Sequence, residues 1–298
     1  MTPRTSTSKL RKCLLVIAAA GLVGSATTVA AVADAPEDTP GRGSKDRALQ
    51  ESLDALVSED KFPAAFAWVR KDSRTSSFVS GSARLGGQVP VPHDGYIRAG
   101  SNTKTFTAVV VLQLVGEGRV ALDEPIETYL PGVVRGEGID GRKITVRQLL
   151  QHTSGLPDYT EHSGLENGKV VDATRMDPSW GGAAGQLIST PSDLAKFSRL
   201  LLDGKLLAPG QLAEIRKTVD APIMPGWRYG LGVLRAPLSC GGAYWGHGGD
   251  IDGYETRGGT TDDGRSVGLA VTALPGTFSD AEKSAKAVMS ASDTALCN

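Results

Sequence analysis

The sequence Gly-Ser-Asn-Thr-Lys at residues 100–104 opens a predicted helix that runs to Gly116 or Gly118. Apolar side chains cover nearly every side of this helix, which predicts that it is buried in the middle of the domain. Ser101 and Lys104 are three residues apart, so they would share one helix face. The alternative is that Ser101 only caps the helix while Lys104 points into solvent, because Ser-x-x-Lys occurs by chance in many chains.

A serine and a lysine in this arrangement suit nucleophilic acyl transfer. Lys104 can accept the Ser101 proton if desolvation and the positive helix N-terminus lower the lysine pKa. The backbone N–H of Ser101, unpaired in the first turn, is placed to stabilise an oxyanion. The pair is therefore predicted to act as the serine–lysine form of an acyl-transfer site.

A second segment, Trp-Gly-His-Gly-Gly-Asp at residues 245–250, reads as a strand end flanked by glycines. Glycines there let the backbone of a ligand approach the strand edge closely. His247 beside them can donate a hydrogen bond to that ligand. The alternative is a surface turn with an incidental histidine.

Length and composition indicate one soluble globular domain. The chain has 298 residues, 40% of them hydrophobic, and a formal net charge of −1. This balance gives no electrostatic case for binding nucleic acid or an anionic membrane surface. The four histidines, His93, His152, His162 and His247, lack the spacing of metal ligands, and no nucleotide-binding loop is present, so we expect neither a metal nor a cofactor.

The N-terminus predicts export. Residues 1–33 combine a basic start, an apolar run over 13–23 and small residues up to Ala33, as a secretory signal peptide does. Residues 34–45 read as a linker and 46–298 as the folded domain. An uncleaved membrane anchor is the alternative, but Gly24 and Ser25 interrupt the apolar run, so we expect a secreted protein without stable membrane insertion.

The number and positions of the three cysteines are consistent with export. Cys13 would leave with the signal peptide, which leaves Cys240 and Cys297. An oxidising compartment would let these two form a disulfide. Two buried free thiols are the alternative.

Residue patterns predict helices around a set of antiparallel strands, an α/β-type layered domain. Capping boxes are expected at Thr145 with Gln148 and at Ser279 with Glu282. A further helix is expected to begin at Pro191, after Thr190, and to end at Leu202, before Gly204. Asp263-Gly264 is a hairpin signal. Predicted strands are 64–69, 76–80, 229–234, 243–247, 255–259 and 266–273, and a predicted first helix covers 48–57.

Several motifs in order resemble one family. They are Tyr-x-x-x-Gly-Ser-x-x-Lys at 96–104, Leu-Asp-x-Pro-Ile-x-x-Tyr-Leu-Pro at 122–131, the His-Thr-Ser-Gly-Leu block within 144–156, the Ala-Gly block from 184 and His-x-Gly at 247–249. Together they resemble the serine D-alanyl-D-alanine carboxypeptidases of the actinobacterial type and the related class C β-lactamases. The resemblance runs from about residue 53 to 297.

That resemblance implies the β-lactamase/penicillin-recognising fold, an antiparallel sheet flanked by helices. It implies that Ser101 is acylated, that Lys104 is its proton partner, and that His247 and Gly249 line the strand where substrate docks. The backbone N–H groups of Asp250 and Ser101 would form the oxyanion hole. Cys240 and Cys297 stand where the carboxypeptidases carry a disulfide. The implied partners are small peptides, β-lactams and peptidoglycan stem peptides, bound by a monomer.

The chain departs from that family in two places. A Tyr-x-Asn motif should lie between the His-Thr-Ser-Gly-Leu and Ala-Gly blocks, but none of the six tyrosines has an asparagine two residues later, which predicts a reduced helical lobe. Losing one acid–base group costs about 10²–10⁴ in rate. Gly248 and Asp250 also stand where hydroxyls are usual, and Asp250 would repel a substrate carboxylate. Arg235 could bind that carboxylate, or the register could place Leu234 there.

We therefore expect a secreted serine hydrolase that forms an acyl-enzyme on D-alanyl-D-alanine peptides or related amides and esters. The alternative is a non-catalytic penicillin-fold protein that binds cell-wall peptides. A structural or adhesion module has no positive signal in the sequence.

Overall fold

The computed structural model describes residues 43–158 and 172–298. The predicted signal peptide, most of the predicted linker and Tyr159 lie outside the described residues. The first helix, α1, begins at Ser44. Residues 44 and 45, which the sequence assigned to the linker, are therefore helical.

An eight-stranded antiparallel sheet forms the centre, in the order β2-β1-β12-β11-β10-β9-β8-β7. Two small sheets pair β3 with β6 and β4 with β5. The strands are β1 Ala64–Lys71, β2 Arg74–Gly81, β3 Ile97–Arg98, β4 Arg135–Gly136, β5 Ile139–Asp140, β6 Ile188–Ser189, β7 Val219–Asp220, β8 Arg228–Tyr229, β9 Leu234–Pro237, β10 Ala243–Ile251, β11 Tyr254–Thr261 and β12 Ser266–Val271.

Helices cover both faces of this sheet. Those of the described residues are α1 Ser44–Ser58, α2 Thr103–Gly116, α3 Val146–Leu150, α4 Gly182–Gly185, α5 Pro191–Leu202, α6 Pro209–Ile215 and α7 Ala281–Cys297. Leu53 of α1 and Leu296 of α7 pack with Leu269 in the core on one face. Leu112 of α2 and Trp245 of β10 belong to the core on the other face. The predicted antiparallel sheet flanked by helices is confirmed.

Several local predictions are confirmed. Thr145 and Gln148 form a reciprocal capping box at the start of α3. The side chain of Thr190 caps α5, and Pro191 occupies its first turn. Gly264, at a φ of 89°, lies in the turn between β11 and β12. Strands β1, β2, β10 and β11 extend beyond their predicted bounds because pairing continues past the apolar core, whereas β12 ends at Val271, before its predicted end at residue 273.

Three local predictions are wrong. Residues 229–234 do not form one strand, because Gly232 adopts a φ of 68° in a turn between β8 and β9. The side chain of Asp280, not Ser279, caps α7, since the Ser279 hydroxyl donates to the Asp60 carbonyl instead. Helix α2 is not buried on every side: Val110 is 55% exposed. No helix within residues 43–158 and 172–298 has the length and apolar character to cross a bilayer.

Candidate active site

Ser101 and Lys104 lie in contact at the start of α2. Ser101 belongs to the 3-10 turn Gly100–Asn102, which leads directly into α2. The Nζ of Lys104 donates to the Oγ of Ser101 at 2.7 Å and lies 3.5 Å from the carbonyl oxygen of Ala184. This geometry disagrees with the alternative in which Lys104 points into solvent.

The pKa of Lys104 is lowered. Burial is the largest cause, because removing the amine from water penalises the ammonium form. The negative charges of Asp158 and Asp250 act in the opposite direction and raise it. Their effect is smaller, so the amine is shifted toward the neutral form that could accept a proton.

Gly100 lets the serine turn pack directly on strand β10. Its φ is +52°, and a Cβ there would lie 3.0 Å from the backbone nitrogen of Asp250. The hydroxyl of Thr103 donates to the carbonyl of Gly100 at 2.7 Å and fixes the same turn. The left-handed backbone and the close approach both favour glycine at this position.

Gly249 makes the second close approach between these segments. A Cβ at Gly249 would lie 2.0 Å from the carbonyl oxygen of Ala99 and 2.6 Å from Oγ1 of Thr256. Neither atom can move far, since one is backbone and the other belongs to a fully buried residue. The glycine predicted to line the docking strand therefore also seats the serine turn against the sheet.

Asn102 and Thr256 hold this junction together, and sequence reasoning missed both. Nδ2 of Asn102 donates to the carbonyl of Ala99 at 2.9 Å and to Oγ1 of Thr256 at 2.7 Å. The Thr256 oxygen also lies 3.1 Å from the carbonyl of Gly249. The position of Asn102 inside Ser-x-x-Lys was a signal for it; Thr256 could be found only from its register opposite Gly249.

Strand β10 offers a free edge beside Ser101. Strand β9 pairs with β10 only from Ala243 to Gly246. Beyond that point, among the described strands, only β11 pairs with β10, on its other side. The edge from His247 to Ile251 therefore has backbone groups with no strand partner in the described chain, and such an edge can accept an extended peptide.

His247 uses both ring nitrogens in bonds to the protein. Nδ1 lies 2.5 Å from the carbonyl oxygen of Gly248, and Nε2 lies 3.0 Å from the hydroxyl of Tyr229. Burial lowers the pKa of His247 to about 4. The predicted donation to a ligand would require one of these bonds to break. Neither of the two bonds involves Ser101 or Lys104.

His152 and Tyr229 also belong to this region, and sequence reasoning missed both. The Tyr229 ring contacts the rings of His152 and His247 edge-on, at centroid distances of 5.0 and 5.8 Å. Burial lowers the pKa of His152, and the charge of Lys104 lowers it further. Two of the four histidines that look scattered in sequence, His152 and His247, thus meet around Tyr229. Within residues 43–158 and 172–298, no three metal-ligating side chains converge.

The charge of Asp250 is balanced by Arg257. Nη1 of Arg257 lies 3.0 Å from Oδ1 of Asp250, and its other terminal nitrogen pairs with the buried carboxylate of Glu255. A Cβ at Gly248 would lie 2.6 Å from Nη1 of Arg257, so this glycine makes room for the guanidinium. The salt bridge reduces the predicted repulsion between Asp250 and a substrate carboxylate.

Three further residues singled out in the sequence, Arg235, Cys240 and Cys297, also have defined positions. Arg235 lies opposite Trp245 in the sheet, and its guanidinium is 6.0 Å from the centroid of that indole ring. The structure joins Cys240 and Cys297 in a disulfide with a Cα–Cα distance of 5.6 Å. This bond ties the turn before β10 to the end of α7.

Comparison with known proteins gives a family. The model of the Beta-lactamase family matches residues 49–172 and 160–292. Over 116 residues the chain is 36% identical to penicillin-binding protein 4 of Amycolatopsis lactamdurans, covering 39% of this chain and 30% of that protein. Over 123 residues it is 29% identical to the D-alanyl-D-alanine-carboxypeptidase/endopeptidase AmpH of Escherichia coli K12, covering 41% and 32%. The matched part spans about a third of these curated relatives.

Two solved structures of amide hydrolases have the same fold as this chain. The D-stereospecific amidohydrolase from a Streptomyces species superposes with a TM-score of 0.67 at 31% identity, over 81% of this chain and 97% of that one. The D-amino acid amidase from Ochrobactrum anthropi SV3 has the same fold, with a TM-score of 0.71 at 22% identity over 85% and 98%. With the family match over most of its length, this chain belongs to the beta-lactamase family of serine hydrolases and has the penicillin-recognising fold.

Proposed function

We propose that the protein is a secreted hydrolase that forms an acyl-enzyme at Ser101 with D-alanyl-D-alanine peptides, or with related amides and esters of D-amino acids. One observation carries the proposal: Lys104, with a lowered pKa, contacts Oγ of Ser101 at 2.7 Å beside the free edge of β10. The names of the relatives, a carboxypeptidase and a D-stereospecific amidohydrolase, favour this substrate class.

The reaction follows from these positions. Neutral Lys104 takes the proton of Ser101 while Oγ attacks the substrate carbonyl carbon. The electron pair moves to the carbonyl oxygen, where the backbone N–H groups of Ser101 and Asp250 stabilise the charge. The tetrahedral intermediate collapses, and the proton on Lys104 goes to the leaving nitrogen or oxygen. Water then attacks the acyl-enzyme by the same steps, and returns Ser101 to its free form.

The first experiment asks whether Ser101 is acylated. The purified protein is incubated with a fluorescent penicillin, digested and analysed by mass spectrometry. We expect the label on the peptide that contains Ser101 and none in Ser101→Ala. Ser198→Ala, a serine of α5 that bonds the Leu194 carbonyl, is the control and should label normally. Absence of label at Ser101 in the wild type would refute the assignment of the nucleophile.

The second experiment identifies the leaving group. An acyl-D-alanyl-D-alanine peptide, a D-phenylalanine amide and a D-amino acid p-nitrophenyl ester are compared at equal concentration. Release of D-alanine favours a carboxypeptidase, and release of ammonia favours an amidase. Hydrolysis of the ester alone would indicate that the site cannot protonate an amine, as the absence of a Tyr-x-Asn motif would explain.

A non-catalytic cell-wall peptide binder is the second candidate, and the missing Tyr-x-Asn motif favours it. Such a protein would bind stem peptides but turn over none of the three substrates. Robust hydrolysis that disappears in Ser101→Ala would exclude it.

Export has its own test. N-terminal sequencing of the protein recovered from culture medium should find a start at Asp34, after Ala33. A chain retained in the membrane fraction with residues 1–33 intact would instead support an uncleaved anchor.

A further inference from the structure

Tyr229 is a buried residue beside the proposed site that the acyl-transfer steps do not use. Its side chain is largely enclosed, with the residue 8% exposed, and it packs with Ala221 and Leu234. Its hydroxyl nevertheless lies 3.0 Å from Nε2 of His247, on the strand edge proposed to receive substrate. Either the Tyr229 hydroxyl or Nε2 of His247 donates the hydrogen in this bond.

The bond between His247 and the Gly248 carbonyl determines which of these two groups is the donor. A carbonyl oxygen can only accept, so the 2.5 Å contact with the Gly248 carbonyl requires a proton on Nδ1 of His247. In a neutral imidazole, Nε2 then has no proton and must accept. The hydroxyl of Tyr229 is the donor, and burial raises its own pKa, which keeps that proton in place.

The surrounding charges favour the neutral ring. Lys104 on α2, His152 after α3 and Arg257 on β11 all act against a positive charge on His247. The backbone bond to Gly248 acts in the opposite direction, but burial outweighs it. An imidazolium would also have to donate from Nε2, so Tyr229 would have to turn its hydroxyl and become the acceptor.

We propose that Tyr229 is a positioning residue, which holds His247 as the neutral Nδ1–H tautomer with its ring against the Gly248 carbonyl. This inference rests on the proposed function, because it concerns the strand edge where substrate would bind. The ring is fixed at both nitrogens, so the edge next to Asp250 keeps one shape and one charge state while the proton moves between Ser101 and Lys104.

Tyr229→Phe tests this role, because it removes one oxygen and keeps the ring packing. Tyr244→Phe is the matched control: Tyr244 is a half-buried tyrosine of β10 that packs against the core formed with α1 and α7. His247 is observed by ¹⁵N NMR of labelled protein, with its signals assigned by their loss in His247→Gln. Acylation by fluorescent penicillin is measured from pH 4 to pH 10.

The expected result has three parts. At neutral pH, the wild-type and Tyr244→Phe proteins show a proton on Nδ1 of His247 and none on Nε2. In Tyr229→Phe the neutral form loses its donor, so His247 protonates at higher pH and Nε2 gains proton occupancy. Acylation at neutral pH falls about three- to tenfold, the range expected for loss of one neutral hydrogen bond, and its pH profile bends at the new His247 pKa.

Two results would overturn the inference: an Nε2–H tautomer in the wild type, or Tyr229→Phe matching Tyr244→Phe in both His247 titration and acylation. If Ser101 takes no label in the wild type, the proposed function fails, and the role of Tyr229 in catalysis fails with it. If Ser101 is labelled but the tautomer is wrong, only the role of Tyr229 fails.

Discussion

The side-chain amide of Asn102 donates a 2.7 Å hydrogen bond to the hydroxyl of Thr256, and this bond joins the serine turn to the sheet. Thr256 is 0% exposed, so water cannot replace a lost partner. The alignment of Ser101 with the edge of β10 therefore depends on a pair of residues that would touch no substrate.

Thr256→Val should lower the stability of the protein and also disturb the position of Ser101 relative to β10. Valine keeps the shape but leaves Asn102 with one partner fewer, at a cost of about 1–3 kcal/mol in the free energy of unfolding. We also expect acylation of Ser101 to slow at least tenfold, because the turn loses its link to β11. Thr260→Val is the control: Thr260 is equally buried on the same strand, but its hydroxyl donates to Ser266. Urea unfolding and penicillin labelling measure both effects, and equal acylation in the two variants would contradict the prediction.

Lys104 should set the pH dependence of acylation. The amine accepts a proton only when neutral, so the acylation rate should rise with pH and level off at a pKa below the usual lysine value, since burial lowers it. Lys104→Ala should lose about 10²–10⁴ in rate. Lys196→Ala, at an exposed lysine of α5, should behave as wild type. A pH–rate profile of the three proteins checks this; a rate that falls as pH rises would argue against Lys104 as the base.

Gly249→Ala should damage both stability and activity. The added methyl would lie 2.0 Å from the Ala99 carbonyl, so β10 and the serine turn must move apart. Overpacking of this kind costs about 1–3 kcal/mol, and we expect labelling of Ser101 to become undetectable or very slow. Gly210→Ala in α6, where nothing lies within 4 Å of the new Cβ, is the control and should not lose stability. Thermal melts and labelling decide it, and normal labelling of Gly249→Ala would show that the close approach is dispensable.

The sequence was informative where one local pattern determined the outcome. Ser101 and Lys104 could be placed in contact because helical spacing alone brings them together, and glycine-flanked His247 could be placed on a strand by its neighbours. Tyr229 could not be found, because its contact with His247 depends on the order of strands β10, β9 and β8.

The salt bridge between Arg257 and Asp250 also could not be predicted from the sequence. Arg257 looked like an ordinary strand residue, and Asp250 looked like an uncompensated acid. Only the antiparallel register, with Gly248 opposite Arg257 and Asp250 opposite Glu255, brings the three charges together. No single segment determines a strand register of this kind. Neither the Arg257–Asp250 salt bridge nor its effect on the repulsion of a substrate carboxylate could therefore be predicted.

The disulfide can be tested without reference to activity. It closes a separation of 57 residues, and native disulfides typically contribute about 2–4 kcal/mol. Intact mass spectrometry should find Cys240 and Cys297 unavailable to alkylation, and reductant should lower the melting temperature. The double variant Cys240→Ser/Cys297→Ser should melt at the lower temperature with or without reductant. Two freely alkylated thiols in the purified protein would support the alternative of unpaired cysteines.

Glu255 should make stability depend on pH near neutrality. Burial, partly offset by Arg257, raises its pKa to about 7 in the folded protein, above the ordinary value of 4.5. A raised folded-state pKa means that the folded protein holds this proton more tightly than the unfolded chain. The resulting stability is present in full below about pH 4.5 and is lost as pH rises toward 7, by an amount on the order of 3 kcal/mol.

Glu255→Gln removes this titration and keeps the side-chain shape. Urea unfolding between pH 4.5 and pH 8 should show the wild type losing stability over this range more steeply than the variant, with the difference levelling off above pH 7. Glu282→Gln, on the exposed first turn of α7, is the control and should follow the wild-type curve. Parallel curves for wild type and Glu255→Gln would mean that Arg257 keeps Glu255 ionised throughout. In that case Asp250 would share the guanidinium with a full second negative charge.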